Sequence, residues 1–135
     1  MRRIERLLDA GRGACWLPRP EVARLVERKM LHFDGTRYGL LAWTVMPNHV
    51  HFFLETRAEY PLFQVTQGLK GFTALRANRT FGRTGCFWAR DYFDRYVRDD
   101  LHLAAIIRHI DNNPLKAGLV SRSEDWPFGR ARRCG

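Results

Sequence analysis

The stretch YGLLAWTVMPNHVHFFLE, Tyr38 to Glu55, decides the fold. Two runs rich in β-branched and aromatic residues, Tyr38–Met46 and His49–Glu55, flank a Pro47-Asn48 connector, which predicts an antiparallel hairpin. Upstream, residues 21–33 place Val22, Leu25, Val26, Met30 and Phe33 at helical spacing, with Pro20 suited to the first turn and Asp34-Gly35 as the stop. Downstream, a second amphipathic helix opens at Pro61 and runs over residues 61–80. Leu62, Val65, Leu69, Phe72 and Leu75 line one side of it, and Lys70, Arg76 and Arg79 sit elsewhere. Gly68 and Gly71 weaken its middle. Residues 86–97 are strand-like at both ends, and a third helix after Asp99-Asp100 must stop near Asn113 because Pro114 follows. The tail reads as a short extended piece, Ala117–Val120, and a compact Trp126-Pro127-Phe128 element. At the start, MRRIERLLDAGRGAC predicts a short basic helix running into a Gly-rich turn. This mixture makes one α+β domain over residues 1–135.

Composition narrows the function classes. With 135 residues, 45% of them hydrophobic, and nine Phe and four Trp, the chain can bury a core, which excludes disorder. No apolar run approaches the roughly 20 residues of a membrane span, and the N-terminus lacks the apolar segment of a secretion signal. Cys15, Cys86 and Cys134 contain no C-x-x-C spacing, so neither a disulfide framework nor a zinc ribbon is supported. Reduced thiols in a cytoplasmic protein are the expectation. Twenty-three Lys and Arg against fourteen Asp and Glu give a net charge of +9, with a pI near 10.3. So basic a domain attracts polyanions, of which nucleic acid is the commonest. Twenty of the 23 cations are Arg, a bias that codon usage in a GC-rich genome also produces.

His49-Val50-His51 carries the most pointed chemistry. On a strand, residues i and i+2 share a face roughly 7 Å apart, so both imidazoles can converge on one divalent ion while Val50 packs the other way. Two nitrogen ligands leave positions open for water or a phosphate oxygen. The same pair serves equally well as ordinary hydrogen-bonded histidines. His109 and Asn113 stack four residues apart near the end of the third helix. Asn113 offers an oxygen ligand or a helix cap, and His109 a metal ligand, a base, a phosphate contact or simply a surface ring. Arg90, Arg95 and Arg98 are interleaved with Trp88, Tyr92, Phe93 and Tyr96, a pattern that suits single-stranded nucleic acid. Strand alternation with buried aromatics and exposed arginines produces the same pattern. Lys70, Arg76, Arg79 and Arg83 form a looser basic set.

Four segments occur in a telling order: MPNHVHFFLE from Met46, FWARDYFDRYVRD from Phe87, IRHIDNNPLKAGLV from Ile107 and EDWPFGRAR from Glu124. Together they resemble the REP-associated tyrosine transposases, members of the HUH single-tyrosine transposases, from about Cys15 to Arg132. The resemblance implies a ferredoxin-like antiparallel sheet with helices packed on one face. It implies metal-dependent cleavage and rejoining of single-stranded, hairpin-forming DNA, that is, DNA transposition. His49 and His51 would hold Mg²⁺ or Mn²⁺ against the scissile phosphate, and Asn113 would complete the metal shell. Lys70, Arg76, Arg79, Arg90, Arg95 and Arg98 would contact DNA. The partner would be single-stranded or hairpin DNA in a bacterial cytoplasm, associated with the nucleoid and away from any membrane. The oligomeric state stays open, a homodimer included.

Two departures from the family pattern stand out. The family nucleophile is a tyrosine in a Tyr-Ile-x-x-Asn-Pro string, and here that string begins with His109. Imidazole can attack phosphorus, but it yields a labile phosphoramidate in place of a stable phosphotyrosine. His109 is therefore either an altered catalytic group or the mark of a disarmed protein that only binds DNA. Tyr92 and Tyr96 match family positions that are not the nucleophile. The second departure is the start: MRRIERLLDAG does not read as a strand, so either the sheet lacks its N-terminal strand, exposing an edge or a core face, or this segment covers the gap in another way. A metal-binding enzyme unrelated to DNA is the third reading, disfavoured by the charge and by the four segments.

Overall fold

Trp43 and its neighbour Ala42 are both buried, yet in different cores, so the hairpin is covered on both of its faces. The computed structural model describes residues 3–10, 20–47, 49–82, 88–97 and 102–134, with all their side chains except those of 8–10, 81, 89–96, 133 and 134. In chain order the elements are β1 (Arg3–Ala10), α1 (Pro20–His32), β2 (Tyr38–Val45), β3 (His49–Thr56), α2 (Leu62–Phe81), β4 (Trp88–Val97), α3 (Leu103–Asp111), α4 (Asn113–Lys116) and α5 (Arg130–Cys134). The four strands form one sheet in the order β2-β3-β1-β4, with every neighbouring pair antiparallel. β1 and β2 therefore run parallel with β3 inserted between them, the split β-α-β arrangement of a ferredoxin-like sheet. The hairpin stands as the sequence predicts, with Trp43 opposite Phe52 and Thr44 opposite His51.

Arg3–Ala10 is a strand and not part of a basic helix, so the sheet has its first strand, and the Gly-rich turn expected at Gly11 and Gly13 lies outside the described residues. β1 lies in the sheet's interior, paired on one side with β3 and on the other with β4. Its charges hid it. Glu5 and Arg6 belong to the segment whose sequence suggests a basic helix, yet both are buried. His51 donates to Glu5, and Arg6 Nη1 donates to Thr66 Oγ1 at 2.5 Å. Strand preference is decided by such neighbours more than by residue type.

Helices cover both faces, where one was expected. α1 and α2 share a face, with Val26 and Met30 of α1 and Leu69 of α2 packed on Trp43, Val50 and Phe52. α3 lies on the other side, where Ile106 and Ile110 meet Ala42 and Phe53. The hairpin is apolar at positions of both parities, which supplies the second face. Each large side chain so buried contributes about 1.5–3 kcal/mol.

α2 departs from its predicted inner stripe. Thr66, Leu69, Thr73 and Ala77 are buried, whereas Leu75 is 57% exposed. The inward threonines are satisfied: Thr73 Oγ1 donates to the Leu69 carbonyl at 2.7 Å and accepts from Trp88 Nε1 at 3.0 Å. β4 is continuous from Trp88 to Val97 rather than extended only at its ends. The tail contains no extended piece at Ala117–Val120, since the chain turns there through Gly118 at φ +75°. The Trp126–Phe128 element is compact as expected, its rings edge-on at 6.1 Å. It is tied to β2 by Trp126 Nε1 donating to the Val45 carbonyl at 3.2 Å and Val45 N–H donating to the Phe128 carbonyl at 2.8 Å. Gly129 follows in a close approach, where a Cβ would sit 3.5 Å from both Thr44 Oγ1 and the Trp43 carbonyl.

Candidate functional site

Strand alternation builds the site. On β3, His49, His51 and Phe53 share the α3 face. On β1, Glu5 stands opposite Phe53, and Leu7 opposite His51. His51 is buried, and its Nε2 lies 2.7 Å from Glu5 Oε1. Its other nitrogen, Nδ1, lies 3.4 Å from Asn113 Nδ2. In the tautomer with the proton on Nε2, Glu5 accepts that proton's hydrogen bond and the Nδ1 lone pair faces Asn113. The His109 ring comes edge-on to His51, with centroids 6.0 Å apart. His49 is half-buried.

The fold thus gathers His51, Asn113 and His109 from three segments, as the sequence reading requires. Glu5 joins them unannounced, because the segment carrying it was read as a helix. Had β1 been recognised, its alternation would have put Glu5 on the histidine face. Asn113 is not the cap of α3; Asn112 is, and its Oδ1 accepts from Ser123 Oγ at 2.7 Å. Asn113 instead opens α4, with Pro114 beside it in the first turn.

The end of α3 is anchored from the tail. Arg130 of α5 donates to Asp111 Oδ2 at 2.6 Å, two residues from His109 and two from Asn113. Burial raises the Asp111 carboxyl above its ordinary range, and Arg130 opposes that only in part. Its Oδ1 finds no hydrogen-bond partner among the described residues.

The donor set bears on metal binding. Among the described residues no group of three or more His, Cys, Asp or Glu is placed to hold a metal ion. The candidate ligands are two imidazoles and the Asn113 amide, whose half-turn exchanges Nδ2 for the carbonyl oxygen. The Asn113 oxygen and water suit Mg²⁺ or Mn²⁺, whereas the imidazole nitrogens by themselves favour softer divalent ions, so Mg²⁺ or Mn²⁺ would be held here with water filling most positions. Glu5 behind His51 has the place of the carboxylate that orients a metal-binding histidine.

Of the expected DNA-contact residues, those whose side chains are described do not converge here. Lys70, Arg76 and Arg79 ride on α2, across the sheet from His51. The side chains of Arg90 and Arg95, and Arg98 entirely, lie outside the described residues. Tyr92 and Tyr96 are placed by backbone only, in register with Leu8 and Ile4.

Residues 24–113 match the family of IS200-like transposases. The chain belongs to that family. Within it, the chain is 29% identical over 106 residues to a Haemophilus influenzae protein described as a REP-associated tyrosine transposase. The match covers 71% of this chain and 60% of that relative, so the chain spans about three fifths of the relative's length. The fold of this transposase-family chain also superposes on that of a REP-associated tyrosine transposase bound to a REP hairpin. The TM-score is 0.76 at 18% identity, over 98% of this chain and 78% of that one. A protein from Deinococcus radiodurans R1 described as a transposase gives a TM-score of 0.56 at 22% identity, over 83% of this chain and 91% of that one.

Proposed function

We propose that this chain binds single-stranded, hairpin-forming DNA and cleaves and rejoins a phosphodiester bond at the His51 site. His49, His51 and Asn113 would hold Mg²⁺ or Mn²⁺ there. The observation that carries this reading is the buried His51 imidazole, fixed by Glu5 on one nitrogen and facing Asn113 with the other, beside His109. The family, the net charge of +9 and a structural neighbour described as bound to a REP hairpin support DNA as the substrate. A cytoplasmic, nucleoid-associated place follows from that partner. Among the described residues no helix is long and apolar enough to cross a membrane.

A bound divalent ion supplies charge neutralisation on the phosphate oxygens. Glu5 holds the His51 ring so that Nδ1 keeps its lone pair turned toward the Asn113 side. His109, exposed at the end of α3, stands where the family has its tyrosine. Attack by its unprotonated nitrogen would form an N–P bond and break the bond to the 3′ oxygen, which leaves and takes a proton from water. The 5′ end would be held as a phosphoramidate, and return of a 3′ hydroxyl reverses the step.

A second reading, a chain that binds DNA without cutting it, is favoured by one observation: His109 occupies the position of the attacking phenol. Incubating wild type, His109→Tyr, His109→Ala and His49→Ala with hairpin-bearing single-stranded DNA and Mn²⁺ separates the two. Cleavage by wild type that is lost in His109→Ala and in His49→Ala supports the catalytic reading. A covalent protein–DNA adduct formed by His109→Tyr alone assigns the native chain to binding. No reaction and no DNA affinity in any of the four rejects both.

A further inference from the structure

We propose that the open cavity between the C-terminal end of α1 and the first half of α2 is a phosphate-binding subsite for single-stranded DNA, on the sheet face opposite His51. It rests on the DNA-directed reading above. The cavity, about 70 Å³, is walled by Lys29, Phe33 and Arg37 on one side and Gln64 and Gly68 on the other, and none of its lining residues is acidic.

The way its cations are held sets it apart. Three arginines elsewhere are paired with carboxylates: Arg3 meets Glu55 at 3.2 Å, Arg122 meets Glu124 at 2.6 Å, and Arg130 meets Asp111 at 2.6 Å. Here the partners are aromatic rings. Lys29 Nζ lies 4.0 Å from the Phe72 centroid and 4.7 Å from that of Phe33. Arg37 Cζ lies 3.7 Å over Phe33 and 5.4 Å from Tyr60, and Arg76 Cζ lies 5.7 Å from Phe72. A ring face attracts and orders a cation, but it carries no net charge and accepts no conventional hydrogen bond. The group stays positive with its N–H donors available, whereas a carboxylate cancels both. Asp34, the acid of the adjoining turn, accepts a hydrogen bond from the Leu40 amide at 2.8 Å. Ordered, uncancelled cations beside aromatic rings are what a groove for single-stranded nucleic acid uses to follow the backbone.

Two further features fit. Gly68 is exposed in the middle of a 20-residue helix, where glycine costs about 1 kcal/mol relative to alanine, and a Cβ there would meet nothing within 4 Å. Its missing side chain keeps the cavity mouth open. Tyr38, which also lines the cavity, donates its phenol to the Met30 carbonyl and so ties the start of β2 to α1. Tyr38 pairs with Thr56, five residues along β3 from His51, or about 17 Å at ~3.3 Å per residue. The subsite is therefore at the far end and on the far face from the histidines, suited to a flank of the DNA and not to the scissile bond.

The test is fluorescence anisotropy of the full chain with a hairpin DNA, with and without a single-stranded flank, across a salt series. Each phosphate contact to a single strand contributes about 0.7 to the slope of log affinity against log salt. The Lys29→Gln/Arg37→Gln variant should lower the slope by about 1.4 on the flanked hairpin, and Arg37→Gln alone by about 0.7. The hairpin lacking the flank should show no change. Gly68→Leu, which fills the mouth without altering charge and improves helix propensity, should weaken the flanked hairpin several-fold. Arg24→Gln, an equal loss of charge at an exposed α1 position, should leave the slope at its wild-type value. Thermal melting checks that each variant is folded, and the exposed Arg37 gives a usable variant if Lys29→Gln does not fold. Wild-type slope and affinity in Arg37→Gln and Gly68→Leu would overturn the subsite while leaving the DNA reading intact. A wild-type chain with no affinity for either DNA would overturn that reading and the subsite with it.

Discussion

On the α1–α2 face of the sheet, Trp43, Val50 and Phe52 meet Val26, Met30 and Leu69 in a broad apolar cluster. On the α3 face the same two strands contribute, among the described residues, two buried apolar side chains, Ala42 and Phe53, against Ile106 and Ile110, with Leu41 half-buried beside them. The places beside them go to polar groups, Glu5, His51 and Thr44, all buried. The contrast separates two tasks within one sheet. Apolar burial on the first face supplies most of the stability, which leaves the second free to hold polar groups whose interactions must be met one by one. Such groups specify positions, and a site needs fixed positions more than it needs apolar area.

The largest expected effect tests the first face. Phe52→Ala removes a fully buried ring from the α1–α2 cluster and should lower stability by about 3–5 kcal/mol in urea unfolding. A loss below about 1 kcal/mol would show that this face is not the main source of stability.

The second effect tests the polar face. Read as a functional residue alone, His51 would be removable with little loss of folding. The structure corrects that expectation, since the side chains of His51 and Glu5 are only 6% and 7% exposed and bonded to each other. His51→Ala should cost about 1–3 kcal/mol as well as any metal affinity, because it takes from a buried carboxylate the ring it is bonded to. A double-mutant cycle with Glu5→Gln measures the coupling, expected at about 1 kcal/mol or more. Additive single effects would mean that Glu5 does not hold the imidazole.

A third, smaller effect concerns α2, whose outward side carries Phe63 and Leu75 as exposed apolar groups. Leu75→Ser should change stability by no more than about 0.5 kcal/mol, measured by thermal melting. A larger loss would restore Leu75 to the core stripe that its spacing predicts.

What was legible in the sequence follows the same division. The hairpin, α1 and the stop before Pro114 were readable because their signals are local: alternation, helical spacing, a turn at Gly35 and the backbone limits of proline. β1 was not, because Arg6 and Glu5 become interior residues only once Thr66 and His51, 60 and 46 positions away, are in place. The buried stripe of α2 was misread for a related reason, since Thr73 and Thr66 face inward toward distant partners, Trp88 and Arg6, that helical spacing does not reveal. His51, His109 and Asn113, which the structure places near one another, were singled out by residue type and family pattern, while Glu5 was missed with its strand. The placement of Lys70, Arg76 and Arg79 across the sheet from His51 was equally hidden, because a charge pattern on α2 does not reveal which side of a sheet that helix will cover.

The smallest expected effect lies where the tail meets the site. Asp111 is bonded to Arg130, yet burial raises its carboxyl above the ordinary 3.8, so desolvation outweighs the attraction. A carboxyl raised in the folded chain binds its proton more tightly there than when unfolded. Folding is then favoured as pH falls through the raised value, a gain complete below the ordinary one, and the ionised form carries the cost above it. Asp111→Asn keeps an oxygen for Arg130 to donate to and removes the titration. Near neutral pH the variant should differ from wild type by no more than a few tenths of a kcal/mol. Below that, wild type should gain on the variant as pH drops toward 3.8, measured as the difference between their urea unfolding free energies. The subtraction cancels the carboxylates common to both chains, provided they lie far enough away to act independently. If wild type instead loses ground as pH falls, the Arg130 attraction is the stronger influence. The end of α3 would then be held by an ion pair and not by burial. Either sign says how firmly His109 and Asn113 are presented to His51, since both flank the residue being titrated.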